Sequence, residues 1–527
     1  MIHLCMQLET LDAPARDYIN EIKANYEFQI QTLQSNVIEY QNKYLEIKER
    51  YDLLAYKIFS RSAEQFVDHS QQHLFTEETE EEATFEAQKD EERSEVHSYK
   101  RRKPGRKAID ANIPREETII DIPETEKTCA CGADLTKIGQ ESSETLHIIP
   151  PRIYVEKTIR PKYACRRCEG TEDEGTPTIR IAPVEPSIIP RSIASPSLLS
   201  TILIQKYEDH LPFYRQEKQF KRIGVSISRQ DMSNWQQQVY NNLTPLFLLM
   251  KQTLKKGPVL QMDETTVQVI GEEGRSDQQK SYMWLARGGP PGKIVVLYEY
   301  RKTRAAYNAK ALLQGYRGYL QTDGYGGYDK AVEDMPGIVQ VGCFAHARRK
   351  FFEASKASKK PKSAEEGIKY IRKLYYIENE MRSQFSKEKE FITQRKKHAE
   401  PILADFKQWL IKRSLEVPPT LLLGKAISYS LSQWDKMVTY LESYHLTPDN
   451  NACENAIRPF VLGRKNWLFN QSPQGAESSC GMYSLIETAK QNGLVPFKYL
   501  MAVFEKAPFA VSTEDWEKLL PWNIFTT

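Results

Sequence analysis

The segment VLQMDETTVQV (residues 259–269) decides the fold class, because apolar and β-branched residues surround a central aspartate, Asp263. This composition predicts a β-strand, and the neighbouring Glu264 is expected to face the opposite side of it. Two further strands are predicted over 281–287 and 293–300, after a polar loop and a Gly-Gly-Pro-Pro-Gly turn respectively. The three strands are therefore expected to pair as consecutive hairpins of one sheet.

A second aspartate, Asp323, ends a predicted fourth strand over 318–322 and is followed by Gly324. A helical stretch over 303–315 precedes this strand, and a fifth strand over 337–343 follows it after a short helix. The order β-β-β-α-β-α-β-α predicts a mixed sheet flanked by helices.

A third carboxylate, Glu454, lies about one turn into a helix predicted from TPDNNACENAIRPF (447–460), which Asp449 or Asn450 can cap. Two strand carboxylates and one helix carboxylate suit a pair of hard divalent cations, because such ions take oxygen ligands and keep positions open for water and phosphate.

These phrases, together with CFAHARRKF (343–351), GRKNWLF (463–469) and YSLIETAKQNGLVPFKYL (483–500), resemble a TnpC-type transposase of the insertion-sequence-66 family. The likeness extends over nearly the whole chain. The predicted topology likewise resembles the ribonuclease H-like fold, in which the first and fourth strands are neighbours.

The resemblance to this family of DDE transposases implies that Asp263, Asp323 and Glu454 are the catalytic triad and hold two Mg²⁺ ions, for which Mn²⁺ can substitute. It also implies binding of an insertion sequence's DNA ends, their cleavage and their transfer to target DNA, with companion proteins of the element as further partners. Spacing alone fits a metal-dependent nuclease that does not rejoin DNA. A catalytically inert, domesticated DNA-binding protein is a further alternative, whose mark would be a missing carboxylate.

The composition sets outer bounds on the class of protein. A chain of 527 residues is long enough for about three or four domains. Eight cysteines in so long a chain do not indicate a disulfide scaffold. Without a signal-like start or an apolar run of membrane-spanning length, a cytoplasmic protein with no membrane partner is expected.

The expected organisation is multidomain α+β. It comprises an N-terminal coiled-coil helix (1–60), a charged linker with a basic arm (61–108), a zinc-finger-like domain (109–182), a helical, possible helix-turn-helix segment for DNA binding (183–245), a ribonuclease H-like catalytic domain (246–480) with a helical insertion (about 352–430), and a C-terminal helical element (481–527).

The N-terminal helix carries apolar and tyrosine residues at heptad spacing over about four heptads, which is typical of a coiled coil. Self-association into a homo-oligomer is the functional interpretation, and packing of the helix on its own chain is the alternative. The seam positions are Ile30, Leu33, Val37, Tyr40, Tyr44, Ile47, Tyr51, Leu54 and Ile58.

Four cysteines form two pairs, Cys129 with Cys131 and Cys165 with Cys168, about 35 residues apart. Paired thiols at this distance predict a structural zinc site. The first pair departs from the family's CxxC spacing, with Thr128 where a first cysteine would stand, so a small domain that has lost its metal is the alternative.

Basic residues are candidates for DNA contact in three regions. Six basic residues over 100–107 form an arm that can follow phosphates or enter a minor groove, although a merely solvated linker has the same composition. Arg229 opens a helix that Ser228 can cap, in a pattern compatible with helix-turn-helix binding or with a plain helical hairpin. The candidates in full are Arg101, Arg102, Arg106, Lys107, Arg229, His346, Arg348, Arg349, Arg458, Arg464 and Lys465.

Overall fold

The computed structural model describes residues 13–59, 153–164, 179–358 and 361–524. The described residues belong to two compact units, the larger of which contains 13–59 and 186–524. The predicted zinc ligands and the basic arm lie outside the described residues. None of the described helices is both long enough and apolar enough to cross a lipid bilayer.

The first described element is a single helix of 47 residues, α1 (Ala13–Phe59). The smaller unit contributes one antiparallel pair of short strands, β1 (Lys162–Ala164) and β2 (Ile179–Ile181).

Between β2 and the main sheet lie four helices: α2 (Pro196–Tyr207), α3 (Phe213–Arg222), α4 (Arg229–Asn242) and α5 (Thr244–Leu254). The predicted cap of α4 is confirmed, because the Ser228 side chain accepts from the backbone N–H of Asp231 and the Asp231 carboxylate accepts from that of Ser228. This reciprocal bonding satisfies two backbone donors and fixes where the helix begins.

The main sheet has five strands: β3 (Val259–Gln268), β4 (Lys280–Gly288), β5 (Val295–Arg301), β6 (Gly318–Gln321) and β7 (Ile338–Val341). Helices α6 (Ala306–Leu313) and α7 (Gly326–Val332) connect the last three strands. The strand order is β5-β4-β3-β6-β7, with antiparallel pairing from β3 to β5 and parallel pairing of β3 with β6 and of β6 with β7. The mixed sheet with flanking helices that the sequence predicts is therefore present.

A helical insertion follows β7, as predicted. It contains α8 (Phe344–Ala357), α9 (Lys362–Gln384), α10 (Glu388–Glu416), α11 (Leu422–Ser432) and α12 (Trp434–Val438). The chain then returns to the sheet through α13 (Asn451–Trp467), α14 (Pro473–Gln491), α15 (Pro496–Lys506) and α16 (Thr513–Glu517).

One hydrophobic core contains residues of the sheet, of helices that precede it in the chain (α2 and α4) and of helices that follow it (α14 and α15). Helix α14 also covers the edge strand β5. Ser484 accepts from the N–H of Tyr298 at 2.9 Å, and Thr488 accepts from that of Val296 at 3.0 Å. Side-chain oxygens thus accept hydrogen bonds from backbone N–H groups of β5, which an uncovered sheet edge would offer to another strand.

Helix α1 packs against the insertion through the face opposite its heptad seam. Glu49 accepts the N–H of Leu422 at 2.8 Å, and Glu46 pairs with Lys425 at 3.2 Å. The nine seam side chains remain exposed, by 53% to 70% of their surface. The contact with the insertion therefore leaves the apolar stripe uncovered.

Candidate active site

The parallel register between β3 and β6 places the two aspartates side by side. Gln261 is the partner of Gln321 in this register, and each aspartate follows its glutamine by two residues. Because side chains alternate along a strand and neighbouring strands lie about 4.8 Å apart, Asp263 and Asp323 lie on the same face at adjacent positions.

Glu454 reaches this face because the start of α13 is anchored to β3. Asn450 immediately precedes the helix and donates through its side-chain nitrogen to the carbonyl of Met262 at 3.0 Å. Asn450 gives no side-chain cap because it bonds to β3, whereas Asp449 accepts the N–H of Asn451, the first residue of the helix, at 3.0 Å. The residue bonded to Asn450 thus directly precedes Asp263.

Two basic side chains from the start of α8 face the Glu454 carboxylate. Arg349 donates to one oxygen at 3.0 Å, and His346 Nδ1 lies 3.6 Å from the other, Oε1. Burial alone would lower the pKa of Arg349, but the Glu454 charge raises it overall. Oε1 is buried and accepts no hydrogen bond from the described residues. One ligand atom of Glu454 is therefore left for a cation.

Asp263 is in an environment that disfavours its own negative charge. Burial raises its pKa to about 8, and the neighbouring charges of Glu264, Glu454 and Asp323 act in the same direction. Its Oδ1 accepts the N–H of Glu264 at 2.8 Å, which only partly offsets the effect. A cluster of carboxylates that repel one another is the arrangement a divalent cation relieves, so these residues fit a metal site.

Glu264 faces away from this cluster, as predicted, and is fully engaged elsewhere. Its side chain is 1% exposed, pairs with Arg304 and accepts from the hydroxyl of Tyr328. Arg304 also lies 3.9 Å from Asp323 and 3.7 Å above the ring of Tyr325. Arg304 therefore connects the far side of β3 to the loop that carries Asp323.

A chain of hydrogen bonds, called here the polar relay, crosses the sheet two residues before each aspartate. Arg287 donates to Gln261 at 3.0 Å, Gln261 donates to Gln321 at 2.9 Å, and Gln321 donates to the carbonyl of Thr447 at 2.7 Å. The relay thus joins β4, β3 and β6 to the segment before α13. Sequence reasoning missed it, although the repeated Gln-x-Asp spacing in both strands is a visible signal.

The insertion contacts the Asp323 loop directly. A Cβ atom at Gly324 would lie 2.6 Å from the ring of Tyr429 in α11. Real Cβ atoms do not approach so closely, so glycine is required for this contact. The loop carrying Asp323 is consequently held between Tyr429 on one side and Arg304 on the other.

Two of the candidate DNA contacts, Arg348 and Arg464, are buried or bonded within the protein. Arg348 is only 7% exposed, because it lies on the face of α8 that packs into the insertion rather than on the face of Arg349. Arg464 donates to the hydroxyls of Thr265, at 2.8 Å, and Thr266, at 3.1 Å, so it fastens α13 to β3.

The remaining candidates among the described residues differ in what they face. His346 is partly buried against Glu454, and Arg349 pairs with Glu454 while remaining exposed, as Arg229, Arg458 and Lys465 are. The other candidates, which lie outside the described residues, are Arg101, Arg102, Arg106, Lys107, Cys129, Cys131, Cys165 and Cys168.

One mixed cluster of possible ligands shares Glu454 with the site. Single ligand atoms of Cys343, His346 and Glu454 all lie within 4.8 Å of one another. Burial strongly raises the pKa of the Cys343 thiol, which keeps it in the protonated form that binds metals poorly. A hard cation prefers oxygen ligands, so Asp263 and Asp323 suit it better than Cys343 and His346 do.

Comparison with known proteins gives a consistent assignment. A family profile described as "Transposase IS66 family" matches residues 191–478, and the IS66 C-terminal element matches 484–522. The zinc-finger binding domain of IS66 transposases matches 126–169, and a profile described as "Transposase C of IS166 homeodomain" matches 46–118.

Two curated relatives are uncharacterised proteins of Sinorhizobium fredii (strain NBRC 101917 / NGR234). The chain is 31% identical to y4hP over 82% of its own length and 79% of the relative, and 30% identical to y4jD over 78% and 80% respectively. The family profile alone covers more than half of the chain. The chain therefore belongs to the IS66 family of transposases.

Proposed function

We propose that this transposase is a DDE enzyme that binds the ends of its insertion sequence, cleaves the DNA and transfers the cut strand to a target. The observation that supports this best is that the β3–β6 register pairs the strands that carry Asp263 and Asp323, while Asn450 anchors the helix of Glu454 to β3. A bound pair of divalent cations, Mg²⁺ or Mn²⁺, would activate the attacking hydroxyl and stabilise the departing 3′ oxygen.

The surrounding residues would hold the three carboxylates in position. Arg349 orients Glu454 through one oxygen and leaves the other for the cation. Arg304 and Tyr328 keep Glu264 turned away, which prevents a fourth carboxylate from joining the cluster. Asp263, whose pKa burial raises to about 8, would release its proton when the cation binds.

We also propose that the five-stranded sheet is a ribonuclease H-like catalytic core. Support comes from its strand order, with β3 central and paired in parallel to β6. The first and fourth strands of the sheet are neighbours, which is the feature that the resemblance implied.

The exposed heptad seam of α1 supports self-association through a coiled coil. Its nine apolar and aromatic residues are uncovered while the opposite face contacts α8 and α11. A second copy of the same helix would bury this stripe. Pairing of two protomers suits an enzyme that must bring two DNA ends together.

The zinc ligands are proposed to be Cys129, Cys131, Cys165 and Cys168. The matched zinc-finger region, 126–169, contains all four, which supports zinc binding there despite the CxC spacing of the first pair. Elemental analysis of the purified protein should give about one zinc per chain. A folded, active preparation without zinc would exclude this site.

Three assays on labelled DNA ends separate the alternatives. The proposed enzyme cleaves an intact end in Mg²⁺ and joins a pre-cut end to a target plasmid. A nuclease would cleave the intact end but yield no joined product. An inert DNA-binding protein would shift the DNA in a gel and do neither, and the proposal would then be wrong.

A further inference from the structure

A cavity of about 240 Å³ opens between the start of β3, the end of β4 and the first turn of α13. It lies on the side of the sheet that carries the polar relay. Residues lining it include Gln261, Arg287, His445, Thr447 and Ala452, and none of its lining residues is acidic. The cavity is therefore positively charged rather than neutral.

Arg287 is a half-buried cation without an anionic partner among the described residues. Its Nη1 donates to Gln261 at 3.0 Å, and its Nε and Nη2 donate to Gln491 at 3.1 and 2.9 Å, so its partners are neutral amides. No carboxylate contributes to its pKa, which burial lowers. A guanidinium has five N–H donors, so two remain. Burying a charge in this way is costly unless an anion compensates it.

Other features of the cavity favour an anion as well. Ala452 is the second residue of α13, and its backbone N–H, unlike those of Asn451, Cys453 and Glu454, has no acceptor among the described residues. Two exposed lysines, Lys256 and Lys293, are close in sequence to the lining residues Pro258 and Ile294. These two lysines add positive charge to the segments that lead into the cavity lining.

We infer that the Arg287 cavity binds a phosphate group, and that in the working enzyme this phosphate belongs to the DNA backbone. The second part rests on the proposed function. Gln261 and Asp263 share a face of β3 and are about 7 Å apart along the strand. A phosphate at Arg287 would thus neighbour the reacting phosphate at the three carboxylates. Binding of this neighbouring phosphate would fix the position of the DNA strand.

Free phosphate tests the binding chemistry without requiring DNA activity. The melting temperature is measured with increasing inorganic phosphate, with chloride at equal ionic strength as reference. Phosphate should raise it for the native protein and for Arg317→Gln, which removes an exposed arginine outside the cavity. It should have no effect on Arg287→Gln or on Ala452→Glu, which supplies a carboxylate to the cavity at a position where helix starts favour acids.

Ala452→Glu keeps the test valid if Arg287→Gln fails to fold, and Ala452→Gln provides the uncharged control of equal size. If phosphate stabilises Ala452→Glu as much as the native protein, the inference is wrong. The same holds if phosphate has no effect on the native protein beyond that of chloride.

DNA binding then identifies the source of the phosphate. With labelled DNA ends in EDTA, Arg287→Gln and Ala452→Glu should weaken binding about tenfold or more, and Arg317→Gln much less. If phosphate binds at Arg287 but DNA affinity is unchanged, the site takes free phosphate and the DNA assignment is wrong. Failure of the native protein to bind or cleave DNA would instead contradict the proposed function and leave the phosphate result standing.

Discussion

Replacing Asp263 by asparagine should stabilise the metal-free protein at neutral pH, although the same change should abolish catalysis. Burial and the neighbouring carboxylates raise the pKa of Asp263 to about 8 in the folded protein, whereas an unfolded aspartate has a pKa of about 3.9. Between these values the folded state holds a proton that the unfolded state has released. The free energy of unfolding contributed by this group therefore falls as pH rises through that window.

The size of the effect follows from the same two pKa values. At pH 7 the solution is about three pH units above the pKa of the unfolded aspartate. Keeping Asp263 protonated in the folded state therefore lowers the free energy of unfolding by roughly 4 kcal/mol at most. Counter-ions and water near the partly open site reduce it, so we expect about 2 kcal/mol. Asparagine has no charge to suppress and can still accept the Glu264 N–H that lies 2.8 Å from Oδ1.

The assay is urea unfolding in EDTA at several pH values from 5 to 8.5. Asp263→Asn should gain stability over the native protein, and the gain should grow with pH. Asp329→Asn is the matched control, because Asp329 is an exposed aspartate paired with Lys436 and should change stability by less than about 1 kcal/mol. If Asp263→Asn is no more stable than the native protein at pH 7, the account of a self-repelling carboxylate cluster is refuted.

Three further predictions concern the elements that position the site. Gln321→Met should lower stability by about 2 kcal/mol and reduce cleavage, because it leaves two buried polar groups of the relay without partners, and urea unfolding with cleavage rates checks both. Gly324→Ala should displace the Asp323 loop from the Tyr429 ring, with cleavage reduced at least about tenfold and DNA affinity unchanged in a gel shift. The triple replacement of Leu33, Ile47 and Leu54 by lysine should shift sedimentation toward monomer and abolish paired-end complexes but not single-end binding, because a packed seam would have to desolvate the charges. Normal cleavage in either of the first two variants, or normal end pairing in the third, would contradict the corresponding claim.

The sheet was predictable because its strands are apolar, β-branched runs that are separated by glycine- and proline-containing turns. The run around Asp263 and the Gly-Gly-Pro-Pro-Gly turn define local elements, and the observed strands agree with the predicted ones to within a few residues. The cap of α4 was likewise readable, because Ser228 and Asp231 are three residues apart, as a capping box requires.

Long-range contacts were not predictable from such patterns. Nothing local to Glu454 indicates that Asn450 bonds to β3, because the partner is nearly two hundred residues away in sequence. The burial of Arg348 and the bonds of Arg464 to β3 were unpredictable for the same reason. The sequence shows that these residues lie in basic stretches, which is typical of DNA contacts. Only the packing of α8 and α13 shows which face of its helix each residue occupies.

The identity of the metal ligands is the central claim, and anomalous scattering tests it most directly. Crystals of the protein with a DNA end are grown in Mn²⁺, and anomalous difference density at the manganese edge locates the ions. The account predicts peaks within coordination distance of Asp263, Asp323 and Glu454, and their loss in Asp323→Asn. Peaks only at Cys343 and His346, or none near the two aspartates in a complex that cleaves DNA, would contradict it.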